Sequence, residues 1–223
     1  MTHYRILSAL LLYPEGDLVA ALPELEDGLP LPMRARVAPL LAHLAENDMI
    51  TLQQEYVQTF DRTPSHSLHL FEHIHGESRD RGQAMVDLME EYKKHGLEMQ
   101  GDELPDFVPL FLEFLSQLDE EEAGRLLGDA VHVLAFIGRK LAANGSPYAC
   151  VFDVLEGLSP VAAEELSEPP IKDMDEALET FGPGADGVEP LLKPQGKPQG
   201  SGPQPINFYP RGTRPAVHQE EAA

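Results

Sequence analysis

The residues best equipped for chemistry in this chain crowd between Leu68 and Met85, in the stretch LHLFEHIHGESRDRGQAM. With His66 just ahead of it, this region supplies four histidines (His66, His69, His73, His75), the carboxylates Glu72, Glu77 and Asp80, and the arginines Arg79 and Arg81. Imidazoles and carboxylates at that density serve metal ligation, proton transfer or the polar rim of a binding surface. His66, His69 and His73 are three and then four residues apart, a spacing that shares one face on a continuous helix, with His75 just beyond. Zinc needs three or four converging ligands at about 2.0–2.3 Å, and Glu72 and Glu77 are candidate oxygen donors. Against metal, the order here is Glu-His-x-His rather than the His-Glu-x-x-His that sets two ligands and a base on one helix turn. Gly76 also stands where a helix would end before presenting a fourth ligand. A metal-dependent helical enzyme using His66, His69, His73 and His75 is therefore the alternative to a binding surface.

Other catalytic signals are missing. Ser78 has no Gly-x-Ser-x-Gly context and no strand to carry one. No glycine-rich phosphate loop or dinucleotide fingerprint occurs. Cys150 is the one cysteine; between Ala149, Val151 and Phe152 it reads as buried packing rather than a nucleophile. A single cysteine forms no intramolecular disulfide, which fits a reducing compartment.

The elements that position these residues are helical. Ile6, Leu7, Leu10 and Leu11 make one stripe at helical spacing, and Val37, Leu40, Leu41 and Leu44 another. Leu52, Tyr56, Val57 and Phe60 continue the pattern, as do Met85, Leu88, Met89 and Tyr92. The alternation that marks strands is absent. Ser78 is placed to cap a helix running to His95, with Gly96 as its left-handed stop. Asp119 followed by Glu122 resembles a capping box opening a helix to about Ala143, closed by Asn144–Gly145. Within it Val131 to Ile137 is apolar almost all round apart from His132, so this helix should pass through the core. Ser146–Pro147 then opens another. Phe107, Phe111 and Phe114, widened by Leu104, Leu110 and Leu115, form a broad apolar face behind Pro105 and Pro109. That face is core packing in part, and in part a candidate lining for a groove.

The formal charge is −22. Five Lys and Arg and nine Asp and Glu follow Leu166, leaving eleven and twenty-nine before it, so the folded part is the acidic part. Such a surface disfavours nucleic acid and anionic lipid and steers basic partners. After Leu166 come ten of the twenty prolines and seven glycines. A stretch of that composition, with Pro194 to Pro205 polar and low in complexity, is expected to be a disordered tail over 167–223. Two islands interrupt it: Met174 to Phe181, a candidate short helix, and Ile206 to Tyr209, a candidate docking segment or groove-occupying self-inhibitor. No segment reaches the ~20 apolar residues needed to span a bilayer. The short apolar run Ile6 to Tyr13 meets Pro14, Glu15 and Asp17 at once, a poor secretory signal. A soluble cytoplasmic protein is expected.

Three segments carry a resemblance: Tyr56 to Arg62 (YVQTFDR), Leu68 to Met85, and Glu103 to Leu115. They resemble those of the NarJ-type nitrate reductase assembly chaperones. These are a branch of the all-helical redox-enzyme maturation chaperones that serve trimethylamine-oxide and dimethyl-sulfoxide reductases too. The similarity covers roughly residues 2–161. It implies a cytoplasmic, non-enzymatic chaperone that binds the N-terminal segment of the nitrate reductase catalytic (alpha) subunit. The chaperone would hold that subunit competent for iron–sulfur cluster and molybdenum-cofactor insertion before membrane docking. The wider family has an acid-x-x-Asp-His-type signature near its peptide groove. Glu103–Leu104–Pro105–Asp106–Phe107 stands in that region, with Phe107 where histidine is often seen, so Asp106 alone is carried over.

Together these readings give an all-α single-domain helical bundle over residues 1–166, a monomer or weak dimer with no cofactor or metal of its own. Its candidate peptide-binding residues are Tyr56, Phe60, Arg62, His69, Glu72, His73, His75, Glu77, Arg79, Arg81, Met85, Asp106, Phe107 and Phe111. Aromatic and Met side chains would supply affinity, carboxylates would steer and set register, and the histidines would make binding pH-sensitive.

Overall fold

Local side chains cap two of the helices and glycines close two. The computed structural model describes residues 1–76, 79–99 and 103–166. Their helices run α1 (Thr2–Leu10), α2 (Gly16–Asp27), α3 (Leu31–Glu46), α4 (Met49–Tyr56), α5 (Glu72–His75), α6 (Arg79–Lys94), α7 (Val108–Gln117), α8 (Glu120–Ala143) and α9 (Ala149–Leu158). A π-helical turn, Val57–Asp61, extends α4, and a 3₁₀ turn, Pro64–His66, follows it. Asp48 caps α4 by accepting from the amides of Ile50 and Thr51. Asp119 caps α8 by accepting from Glu122 N at 2.9 Å, the first half of the expected box. Glu122's own carboxylate turns instead to His95 and Arg125. Gly96 and Gly145 take the left-handed conformation at the ends of α6 and α8 (φ 74° and 68°), where a Cβ is penalised.

The all-α expectation holds: among the described residues there is no strand, only an isolated antiparallel bridge between His69 and Phe107. α8 is the spine. Val131, Val133, Leu134 and Ile137 are fully buried and His132 nearly so, as an all-round apolar segment requires. α9 packs along α8, α3 packs on α9, and α1 packs on α7. The α8–α9 approach depends on Gly138, where an added Cβ would lie 2.7 Å from Phe152 Cβ. α1 is pinned to the start of α7 by Ser8 Oγ, which donates to the Pro109 carbonyl at 2.7 Å.

Three expectations change. His66, His69 and His73 do not share a helix face: His66 ends the 3₁₀ turn, His69 sits in the bridge and His73 lies in the four-residue α5. Pro64 and the extended backbone at Thr63 and Ser67 interrupt the helix, because the pairing with residues 106–108 outweighs one more helical turn. Leu104 to Phe107 likewise precede α7 rather than start it, so Pro109 falls in its first turn, where no amide is missed. Pro147 stands two residues ahead of the first residue of α9. The readings for Glu77, Ser78, the tail 167–223 and its islands Met174 to Phe181 and Ile206 to Tyr209 lie outside the described residues.

Candidate functional site

The histidine-rich stretch and the Glu103–Phe107 stretch, more than thirty residues apart in sequence, meet in one junction. Leu70 N donates to Asp106 O at 3.0 Å and Val108 N to Leu68 O at 2.8 Å. Asp106 is completely buried, and its carboxylate works on the same side. Oδ2 accepts from Phe71 N at 3.0 Å and Oδ1 faces His69 Nδ1 at 3.3 Å. Behind it, Tyr92 Oη donates to the Pro105 carbonyl at 2.7 Å. A buried carboxylate is costly unless its lone pairs are filled, and here a backbone amide and an imidazole fill them. The hydrogen bond with Asp106, and its charge, raise the His69 pKa above the ordinary imidazole value, against the pull of burial.

The other histidines are engaged separately. His73 Nε2 donates to Ser67 O at 2.8 Å, and burial holds its pKa below the ordinary value. His66 lies between Thr59 O (3.1 Å from Nδ1) and the Asn144 amide (2.7 Å from Nε2). His75 stacks near Phe71 at 6.0 Å between ring centroids. They do not converge on a point. Among the described residues the only set of three with ligand atoms close together is Glu91, His95 and Glu122. Arg125 lies 3.6 Å from the Glu91 carboxylate and 3.3 Å from that of Glu122, and Lys94 lies 2.8 Å from Glu91. That cluster is an ion-pair seam between α6 and α8. Cys150 packs with its thiol directed to the Pro147 carbonyl, and burial pushes its pKa up to about 11, so little thiolate is present near neutrality.

The candidate binding residues divide by exposure. Tyr56, Phe60, His73, Asp106 and Phe111 are all buried, Phe111 fully. Asp106 and Phe111 lie wholly inside the junction in this conformation. Arg62 and Arg79 are exposed, and His69, Glu72, His75, Arg81, Met85 and Phe107 are half-buried. His69 and Phe107 pack ring to ring at 5.5 Å. Glu72 accepts from the Ser67 hydroxyl and pairs with Arg81 at 3.5 Å. On the outside, then, Phe107 lies against His69, and Glu72 against Arg81, while Met85 is half-buried on α6.

Sequence reasoning missed several partners. Tyr92 was legible only as one member of an apolar stripe, and nothing local announces Asn144 as the partner of His66. Tyr13 and Ile50 were missed as well. They line a depression with Gln53, Gln54, Val57 and Arg62, and its volume is about 400 Å³.

The described residues form a helical domain in which a buried carboxylate, Asp106, knits two extended segments together. The family model described as nitrate reductase delta subunit matches residues 26–153. The chain is 39% identical over 191 residues to the nitrate reductase molybdenum cofactor assembly chaperone NarJ of Escherichia coli (strain K12), covering 80% of this chain and 81% of that one. It is 41% identical over 155 residues to NarW of the same strain, covering 68% and 65%. A crystal structure described as a redox enzyme maturation protein from Archaeoglobus fulgidus superposes with a TM-score of 0.55 at 24% identity, covering 70% of this chain and 91% of that one. The last shows the fold alone. The chain belongs to the nitrate reductase delta subunit family of NarJ-type assembly chaperones, and it is a non-catalytic member of the all-helical class expected.

Proposed function

We infer that this chain is the dedicated chaperone of a nitrate reductase catalytic subunit. It binds that subunit's N-terminal segment in the cytoplasm and keeps the subunit competent for iron–sulfur cluster and molybdenum-cofactor insertion before membrane docking. The observation that carries this reading is the 39% identity with NarJ across four-fifths of both chains. In this reading the half-buried Phe107 and Met85 supply apolar contact and Glu72 sets register. Arg62, His69, His75, Arg79 and Arg81 are the remaining candidates for contact. Tyr56, Phe60, His73, Asp106 and Phe111 act from below, by fixing the surface's shape. Residues 1–166 suffice for binding, and the chain works as a monomer or weak dimer. No helix among the described residues is long and apolar enough to cross a membrane.

Calorimetric titration with a peptide copying the first ~30 residues of the cognate catalytic subunit, a few helical turns with flanks, tests the reading. Micromolar or tighter binding, weakened at least tenfold by Phe107→Ala in a protein that remains folded, is the expected outcome. Absence of binding across pH and salt would remove N-terminal recognition as the mode of action.

A further inference from the structure

α4 buries one face and leaves another uncovered. Leu52 and Tyr56 are buried. Ile50, Gln53, Gln54, Val57 and Gln58 recur at i, i+3, i+4, i+7 and i+8, one stripe along the helix and the turn that extends it. With Tyr13 and Arg62 they line the depression of about 400 Å³. Ile50 is 68% exposed and Tyr13 43%, and apolar side chains clustered outside a core mark a contact surface. The walls are fixed in place. Tyr56 Oη donates to Leu11 O and Gln53 Nε2 to Pro14 O, both at 2.9 Å, and Tyr13 packs edge-on against Tyr56 at 5.4 Å.

The lining is apolar and amide, with Arg62 its one charged side chain. The neighbours of that lining along the chain are acidic: Glu15 stands two residues after Tyr13, Asp48 two before Ile50, and Asp61 next to Arg62, all three exposed. Residues 1–166 as a whole carry eleven Lys and Arg against twenty-nine Asp and Glu. Such surroundings favour an apolar segment with positive and no negative charge. Two apolar islands of this chain lie beyond Leu166, and charge separates them. Met174 to Phe181 carries Asp175, Glu176 and Glu179 and no base, so the acidic domain repels it. Residues 206–217, INFYPRGTRPAV, carry Arg211 and Arg214 and no acid, with Ile206, Phe208 and Tyr209 at their start. Residues 167–205 join that segment to the domain and span up to about 130 Å of chain. A 166-residue domain has a radius of gyration of about 15 Å, so the depression is within reach. A tethered segment meets such a surface at an effective concentration on the order of 1 mM, an advantage that no free partner has.

We propose that Ile206 to Tyr209 docks into the α4 depression of its own chain as an extended segment, with Arg211 and Arg214 meeting the acidic residues around it. Prolines at 205 and 210 bracket the island and disfavour a helix across it. Phe208 and Tyr209 find two suitable partners in the lining: the Tyr13 ring and the Arg62 guanidinium, which stacks on aromatic faces. The exposed amides of Gln54 and Gln58 offer donors and acceptors to an extended backbone. Docked in this way, the chain covers its own apolar patch, and any other occupant has to compete with it. Self-docking of this kind is independent of the chaperone reading.

The test is photo-crosslinking in the full chain, with the reactive residue at position 50 or, as a control, at position 31, where Leu31 is 76% exposed outside the depression. Isotopically light and heavy chains are mixed, so that mass spectrometry separates crosslinks within one copy from those between copies. Position 50 should join residues 206–214 of the same copy, and position 31 should not. Phe208→Asp with Tyr209→Asp should abolish that crosslink, and Arg211→Glu with Arg214→Glu should lower its yield at least twofold at low salt. Both pairs of substitutions lie outside the helical domain, whose fold is checked by circular dichroism. Equal yields from positions 50 and 31, or no crosslink from position 50 to the segment, overturn the docking. Crosslinks that join light to heavy chains put a second copy in the depression and overturn it too. A yield unchanged by the arginine substitutions overturns the choice of this island by charge.

Discussion

The junction around Asp106 and the groove along α4 are built on opposite principles. In the junction, polar groups are commited to one another: Asp106 to Phe71 and His69, Tyr92 to Pro105, His73 to Ser67, Glu72 to Ser67 and Arg81. In the groove the fastening bonds lie underneath, at Tyr56 and Gln53, while Ile50 and Tyr13 remain exposed. The contrast teaches that a dense run of ionisable residues can be architecture. The modest row Ile50, Gln53, Gln54, Val57 lines a depression that the core does not fill.

The sharpest way to break this contrast is Asp106→Ala. Removing one partner from a buried charged network leaves the other groups unsatisfied, which costs about 3 kcal/mol or more. Urea denaturation should show that loss, with Asp106→Asn recovering part of it by still accepting from Phe71 N. A loss under about 1 kcal/mol would mean that the junction is held by apolar packing alone. Tyr92→Phe removes one buried hydrogen bond and strands the Pro105 carbonyl, so a loss of about 1 kcal/mol is expected in the same assay.

The pH dependence is subtler, because two histidines pull in opposite directions. Folding raises the pKa of His69, so its contribution is full below the ordinary imidazole value of about 6.5 and fades as pH rises through the folded value. Burial lowers the pKa of His73, so its contribution is full above about 6.5 and is lost as pH falls through the folded value. His69→Gln should therefore cost more stability at pH 5.5 than at pH 8, measured by urea midpoints; an equal cost at both would dissolve the His69–Asp106 ion pair as a stabilising element. The smallest effect belongs to the groove. Ile50→Asp should change stability by no more than about 0.5 kcal/mol, and a larger loss would show that Ile50 is core after all.

Much of the fold was legible locally. The caps at Asp119, Gly96 and Gly145 and the buried character of residues 131–137 follow from side chains within a few positions of each other, and the structure keeps them. The family resemblance, resting on three short segments, is likewise matched by comparisons spanning most of the chain. The site was less legible. Spacings of three and four made His66, His69 and His73 look like one helix face, and the aromatic period marked Phe111 without showing that it is wholly buried. Both share a cause: periodicity reports a face but not what covers it.

The sequence by itself determined most of the helices, the cap at Asp119, the stops at Gly96 and Gly145 and the acidic character of the folded part, because capping, helical periodicity and charge act over a few bonds or need no geometry. Only the tertiary structure decided that residues 68–71 would leave the helix to pair with residues 106–108. It also decided that Asp106 would be buried beneath them, and that α4 would turn Ile50 outward. Each of those outcomes depends on groups far apart in sequence satisfying one another's hydrogen bonds or excluding water together, and no local pattern encodes which distant groups will meet.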